Sequence, residues 1–80
     1  MRLDKWLKVS RLIKRRTVAQ EACDAGRVSV NGRTAKPSAE VRPGDTVEIS
    51  FGSKVLRAEV LSVQETVRKD DAAAMYREIQ

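Results

Sequence analysis

The sequence predicts a single small α+β domain: two short N-terminal helices on an antiparallel sheet of four to five strands, with a short C-terminal helix. Three observations predict it. Helical spacing of apolar residues is confined to the stretch before Gly26 and to the tail after Asp70. Two-residue alternation fills the middle, from Val28 to Val63. Asn31-Gly32, Pro43-Gly44 and Gly52-Ser53 punctuate that middle with turn signals, so the strands are short and hairpin-linked.

In chain order, Leu3, Trp6 and Leu7 recur at i, i+3 and i+4, which predicts an amphipathic helix over 2–9. Trp6 lies on that apolar stripe and is a core anchor in preference to a base-stacking platform. Leu12 and Ile13 turn inward and tether a basic loop. Thr17 and Gln20 have the spacing of a capping box, so a second helix runs from Val18 to about Ala25. Val18, Ala22 and Ala25 share one side of it, Ala19 and Cys23 the adjoining one. Gly26 suits the left-handed residue past the helix end.

Val28–Val30 is the first strand, Asn31-Gly32 its hairpin turn and Arg33–Lys36 the return, stopped by Pro37. Residues 37–45 form a loop ending in a Pro-Gly turn. Thr46–Phe51 puts Val47, Ile49 and Phe51 on one face. After Gly52-Ser53 the return strand, Lys54–Val60, points Leu56, Ala58 and Val60 inward, with Leu61–Val63 a possible extension. A polar link follows Gln64. Asp70-Asp71 then opens an alanine-rich helix whose stripe is Ala72, Met75, Tyr76 and Ile79. The division expected is a domain over 1–64 and a link with a terminal helix over 65–80.

Charge narrows the function. Residues 1–36 carry ten Lys/Arg against three Asp/Glu, a balance of +7, while 37–80 carry six against eight, −2. One basic half joined to a mildly acidic half points to a polyanion on one face. Arg11 to Arg27 concentrates the signal: Lys14, Arg15 and Arg16 are consecutive and lie at a helix start, where an anion such as phosphate relieves their repulsion. The bland alternative is a solvated basic face. No apolar run approaches the ~20 residues of a membrane helix, and MRLDKWLK is not a signal peptide. A lone cysteine suits a reducing, cytoplasmic address. With no His, no second Cys and no glycine-rich phosphate loop, neither a metal site, a cofactor site nor a catalytic constellation is expected. Charge alone does not separate RNA from DNA.

The ordered series RLDKWL, the segment Arg16 to Ala22, GRVSVNG and the PGD turn resembles the RNA-binding domain named after ribosomal protein S-four, over about residues 2–63. The resemblance implies an RNA-binding surface made by the two helices and the following turn, beside a small bent sheet. Most members carry this domain on an enzyme; this chain resembles the stand-alone kind. KVSRLIKRRT and AAAMY are similar to the small bacterial ribosome-associated quality-control factors. That implies a non-catalytic factor on obstructed large ribosomal subunits carrying peptidyl-tRNA, contacting large-subunit rRNA and tRNA. Its partner protein would be the one that adds a C-terminal alanine tail to the stalled chain. No membrane and no small-molecule substrate are implied. The alternatives are a heat-shock-type factor that recycles obstructed large subunits and an RNA-targeting module of an RNA-modifying enzyme.

Matched residue by residue, the RNA-binding candidates are Arg2, Lys5, Arg11, Lys14, Arg15, Arg16, Thr17, Gln20 and Arg27. Arginine grips phosphate bidentately and lysine acts as a point charge. Thr17 and Gln20 have helix capping as their simpler role. Arg33 and Lys36 extend the patch along the hairpin. Asp4 and Asp24, acids in a basic neighbourhood, are expected to orient arginines. Few aromatics means recognition by shape and phosphate spacing.

Overall fold

The computed structural model describes residues 1–64 and 69–79. Helices α1, Leu3–Val9, and α2, Arg16–Asp24, lead into β1, Val28–Val30, and β2, Arg33–Thr34. The longest strands follow as β3, Thr46–Phe51, and β4, Lys54–Val60. A 3-10 helix, Lys69–Met75, leads into the last strand, β5, Tyr76–Glu78. The strands form one antiparallel sheet in the order β2-β1-β3-β4-β5. Two helices and an antiparallel sheet are what the patterning predicts, but the fifth strand, Tyr76–Glu78, lies in the stretch read as a terminal helix.

The core lies between the helices and one sheet face. Leu3, Trp6 and Leu7 of α1 are fully buried, as their spacing requires. Trp6 is the anchor expected, its indole N–H donating to the Ser62 carbonyl at 3.0 Å. The first turn of α1 is satisfied from outside the helix. The N–H groups of Leu3 and Asp4 donate to the carbonyls of Ala39 and Pro37, at 2.7 and 3.1 Å. The loop after the first hairpin therefore fixes where α1 starts.

Helix α2 departs from the sequence reading in two ways. It begins at Arg16, flanked by Arg15 with no side-chain cap, so Thr17 lies within the first turn and the expected capping box does not form. The Gln20 amide is drawn instead to Asp4, at 2.9 Å. Its inward face is Ala19 and Cys23, both buried, while Val18 is 46% exposed and Ala25 is exposed.

In the sheet, Val28 faces Ile49 and Val30 faces Val47, and Val47 and Ile49 in turn face Ala58 and Leu56. All lie on the helix side. The opposite face carries cross-strand ion pairs, Arg57 with Glu48 at 2.8 Å and Arg77 with Glu59. Asn31 and Gly32 both have positive φ, 52° and 83°, as the predicted two-residue turn demands. The Asn31 side chain also ties the hairpin to β3, accepting from the Thr46 N–H at 2.9 Å. The return strand is shorter than expected and ends at Thr34.

The tail differs most. The polar link after Gln64 falls largely on residues 65–68, outside the described residues. The alanine-rich segment docks with Ala72 and Met75 buried, but it winds as a 3-10 helix and ends at Met75. Tyr76 then turns extended and pairs with Val60, splitting the expected stripe. The open edge of β4 accounts for this: its unpaired backbone groups are satisfied by β5, and the Ile79 N–H continues the ladder to the Arg57 carbonyl at 2.8 Å. Leu61–Val63 does not extend β4; the Leu61 and Ser62 N–H groups donate to the Met75 carbonyl at 2.8 and 3.2 Å.

Gly26 has φ 75°, directly after the last turn of α2, and a Cβ there would meet only a Thr34 methyl at 3.9 Å. The constraint is therefore backbone conformation, not space. We predict that Gly26→Val destabilises the fold by about 1 kcal/mol or more. Thermal unfolding should show a loss of roughly 4–8 °C per kcal/mol, and an unchanged melting temperature would contradict it.

Candidate nucleic-acid interface

The interface is organised by an acid. Asp4 sits in the first turn of α1 with its side chain 0% exposed. A buried carboxylate has to be fully paired. It accepts from the Lys5 N–H at 2.8 Å and from the Gln20 amide at 2.9 Å. Arg2 reaches both its oxygens at 3.3 Å. Arg16 lies against it with Nε at 3.3 Å from Oδ2 and an outer nitrogen at 3.4 Å from Oδ1. One carboxylate thus joins the start of α1 to the first turns of α2. Burial by itself would raise its pKa. Hydrogen bonds from Gln20, Arg16 and the Lys5 N–H, with the Arg16 charge, outweigh that and hold the carboxyl below its ordinary value.

Arg2 and Arg16 are still about half exposed, 53% and 41%. Each is aimed by Asp4 but keeps guanidinium surface for a second anion. The remaining candidates divide by position. Lys14 and Arg15 are exposed on the loop entering α2, and Thr17 is exposed on its first turn. Lys5 is half-buried beside the acid. Arg11 is exposed just beyond α1 with φ 63°. Arginine rarely occupies that left-handed conformation, which here turns the chain between the two helices. Arg27 is exposed past Gly26, at the far end of α2 from Arg16. The structure brings Arg2, Arg16 and Gln20 together on Asp4. Lys14 and Arg27 come together elsewhere, along one groove. Arg2 and Lys36 line a shallow depression beside Gly26, which joins the hairpin to the patch.

Asp4 orients arginines as the sequence predicts, whereas Gln20, expected to cap the helix or meet RNA, also bonds the acid. The signal missed was the twelve- and sixteen-residue separation of these contacts, which no local motif encodes. Cys23 is a packing residue. Burial first, then the charges of Asp4 and Asp24, push its thiol up to about 11, so it stays protonated and unreactive at neutral pH. Among the described residues no three His, Cys, Asp or Glu side chains gather as a metal site, and no helix is long and apolar enough to cross a membrane.

Because the folded carboxyl titrates below its unfolded value, Asp4 stabilises the fold above about pH 4. That contribution is lost as pH falls through the folded pKa. We predict that Asp4→Asn, which turns an amide N–H₂ toward the Arg16 and Gln20 donors, costs about 2 kcal/mol at pH 7. The gap to the wild type should close as the pH is lowered below 4. A gap independent of pH would mean that the charge is not what stabilises.

Comparison with known proteins places this geometry. The model of the S4 domain family matches residues 1–47, from α1 through the start of β3. A Streptococcus pneumoniae protein named RQC P-site tRNA stabilizing factor is 57% identical over 76 residues, covering 95% of this chain and 86% of the relative. The Bacillus subtilis protein of the same name is 54% identical, covering 95% and 88%. The trimeric structure of Vibrio cholerae Heat Shock Protein 15 superposes with TM-score 0.91 at 32% identity, over 99% of this chain and 81% of that one. Fold, matched segment and near-full-length identity agree: this chain belongs to the S4 domain family, in the group of the RQC P-site tRNA stabilizing factors.

Proposed function

We propose that this protein is a non-catalytic RNA-binding factor of bacterial ribosome-associated quality control. It binds rRNA and tRNA on large ribosomal subunits obstructed by peptidyl-tRNA, and it supports alanine tailing of the stalled chain by a partner protein. The observation that carries the reading is the pair Arg2 and Arg16, fixed by a buried carboxylate yet half exposed, in a face where Arg11, Lys14 and Arg15 are free of burial. A preset guanidinium loses less side-chain entropy on meeting a phosphate than a mobile one, so a rigid spacing of charges selects RNA of matching backbone geometry. The names of the two relatives support the ribosomal setting, and tRNA in particular.

In this reading Arg2, Arg11, Arg15 and Arg16 grip phosphates, Lys5 and Lys14 add point charges, and Thr17 and Gln20 face the RNA beside them. Arg27 acts at the other end of α2. Trp6 takes no part, being fully buried. A heat-shock-type recycling factor is the second reading, favoured by the fold match to the Vibrio cholerae protein; the higher identity to the tRNA-stabilizing group favours the first.

Sedimentation of the tagged protein in a cell lysate, with tRNA probed in the same fractions, tests the setting. Co-migration with large subunits carrying peptidyl-tRNA supports the quality-control reading. Binding to empty large subunits alone would move it to the recycling reading, and no ribosomal association would overturn both. We further predict that Arg16→Ala weakens binding to purified large subunits and lowers the slope of log affinity against log salt by about one. An unchanged affinity across salt concentrations would remove Arg16 from the phosphate-binding set.

A further inference from the structure

Phe51 ends β3 on the same face as the buried Val47 and Ile49, yet it is 48% exposed. The hairpin turn at Gly52 follows at once, so the core face runs out beyond the cover of α2. On the helix side Val18 is likewise turned outward. Between them runs a groove of about 300 Å³ with Ile49, Leu12, Val18 and Phe51 among its lining, and with Lys14 and Arg27 as its charged residues. No acid lines it. Arg27 is fixed there by backbone, its carbonyl accepting from the Ser50 N–H at 2.8 Å, one residue from Phe51. Lys14 belongs to the run that continues into Arg15 and Arg16. The groove is thus an apolar slot with a half-exposed phenylalanine, flanked by Lys14 and Arg27, and Lys14 leads in the chain directly into Arg15 and Arg16.

From this we infer that the groove holds one unpaired nucleotide of the bound RNA, its base against the Phe51 ring and its phosphate between Lys14 and Arg27. The inference rests on the RNA-binding reading above and adds a base-contacting point to a surface otherwise built for phosphates. Charge complementarity selects an occupant that is both flat and anionic. Continuity with Lys14, Arg15 and Arg16 selects a nucleotide over an acidic peptide, since the same strand can run from those cations into the slot.

Affinity for purified large ribosomal subunits is measured for the wild type and for Phe51→Ala, Phe51→Leu and Phe51→Trp, with melting temperatures alongside. Loss of base–aromatic stacking is expected to weaken Phe51→Ala by about 5- to 100-fold. Phe51→Leu should fall similarly because leucine has no π face, while Phe51→Trp keeps wild-type affinity. The salt slope should stay constant, since no charge is removed. Ultraviolet cross-linking of the wild-type complex should leave a nucleotide adduct on the peptide containing Phe51, which keeps the test open if a variant unfolds. Wild-type affinity in Phe51→Leu would overturn the inference and point to apolar packing against a protein. Unchanged affinity in Phe51→Ala, with Arg16→Ala still weakened, would overturn it while leaving the RNA reading intact. A wild type that ignores the subunits would overturn both.

Discussion

The structure depends on one buried carboxylate. A charge with no exposed surface is costly unless every lone pair is used, and Asp4 meets that condition only with α1 and α2 in their observed positions. Its partners come from the residue before the helix, the helix itself and the first turns of α2. Stability and the presentation of Arg2 and Arg16 are therefore a single interaction. Reorienting either arginine takes a charged partner from the acid.

The sheet supplies the platform and keeps charge of the wrong kind away. Its helix side is apolar from Val28 across to Val60. Its other side matches acids with arginines strand by strand, Glu48 with Arg57 and Glu59 with Arg77, so that face has little net potential. The excess positive charge is left to the helices and the first hairpin, which concentrates the field where a polyanion would approach. Tyr76–Glu78 closes the fourth strand's edge, and the alanine-rich segment before it covers the core with Met75.

How much of this was legible follows from the range of the forces involved. The Leu3–Trp6–Leu7 stripe, the Asn31-Gly32 turn and the alternation of Thr46–Phe51 are local patterns, and each yields its element directly. The start of α2 was misplaced because Thr17 and Gln20 satisfy a local capping rule that a tertiary partner, Asp4, overrides. The tail was read from the acidic start at Asp70-Asp71 and the stripe Ala72, Met75, Tyr76 and Ile79, whereas β4's open edge draws Tyr76–Glu78 into the sheet. The basic candidates were visible as charge. Their grouping was not: nothing in the chain order shows that Arg2 and Arg16 share an acid, or that Arg27 meets Lys14 along a groove. Val18 and Phe51 both occupy positions that periodicity assigns to a core, so their exposure was invisible until the edge of the sheet was seen.

On the proposed reading, Asp4 presets Arg2 and Arg16 for RNA. Asp4→Asn removes one negative charge from the surface proposed to meet a polyanion, so bulk electrostatics alone would tighten binding. The affinity of Asp4→Asn for purified large ribosomal subunits, measured at low temperature where the variant is shown to be folded, tests it most directly. Weaker binding than wild type, despite the loss of a negative charge, is the result the account predicts. Equal or tighter binding would contradict it and reduce Asp4 to a structural acid with no part in recognition.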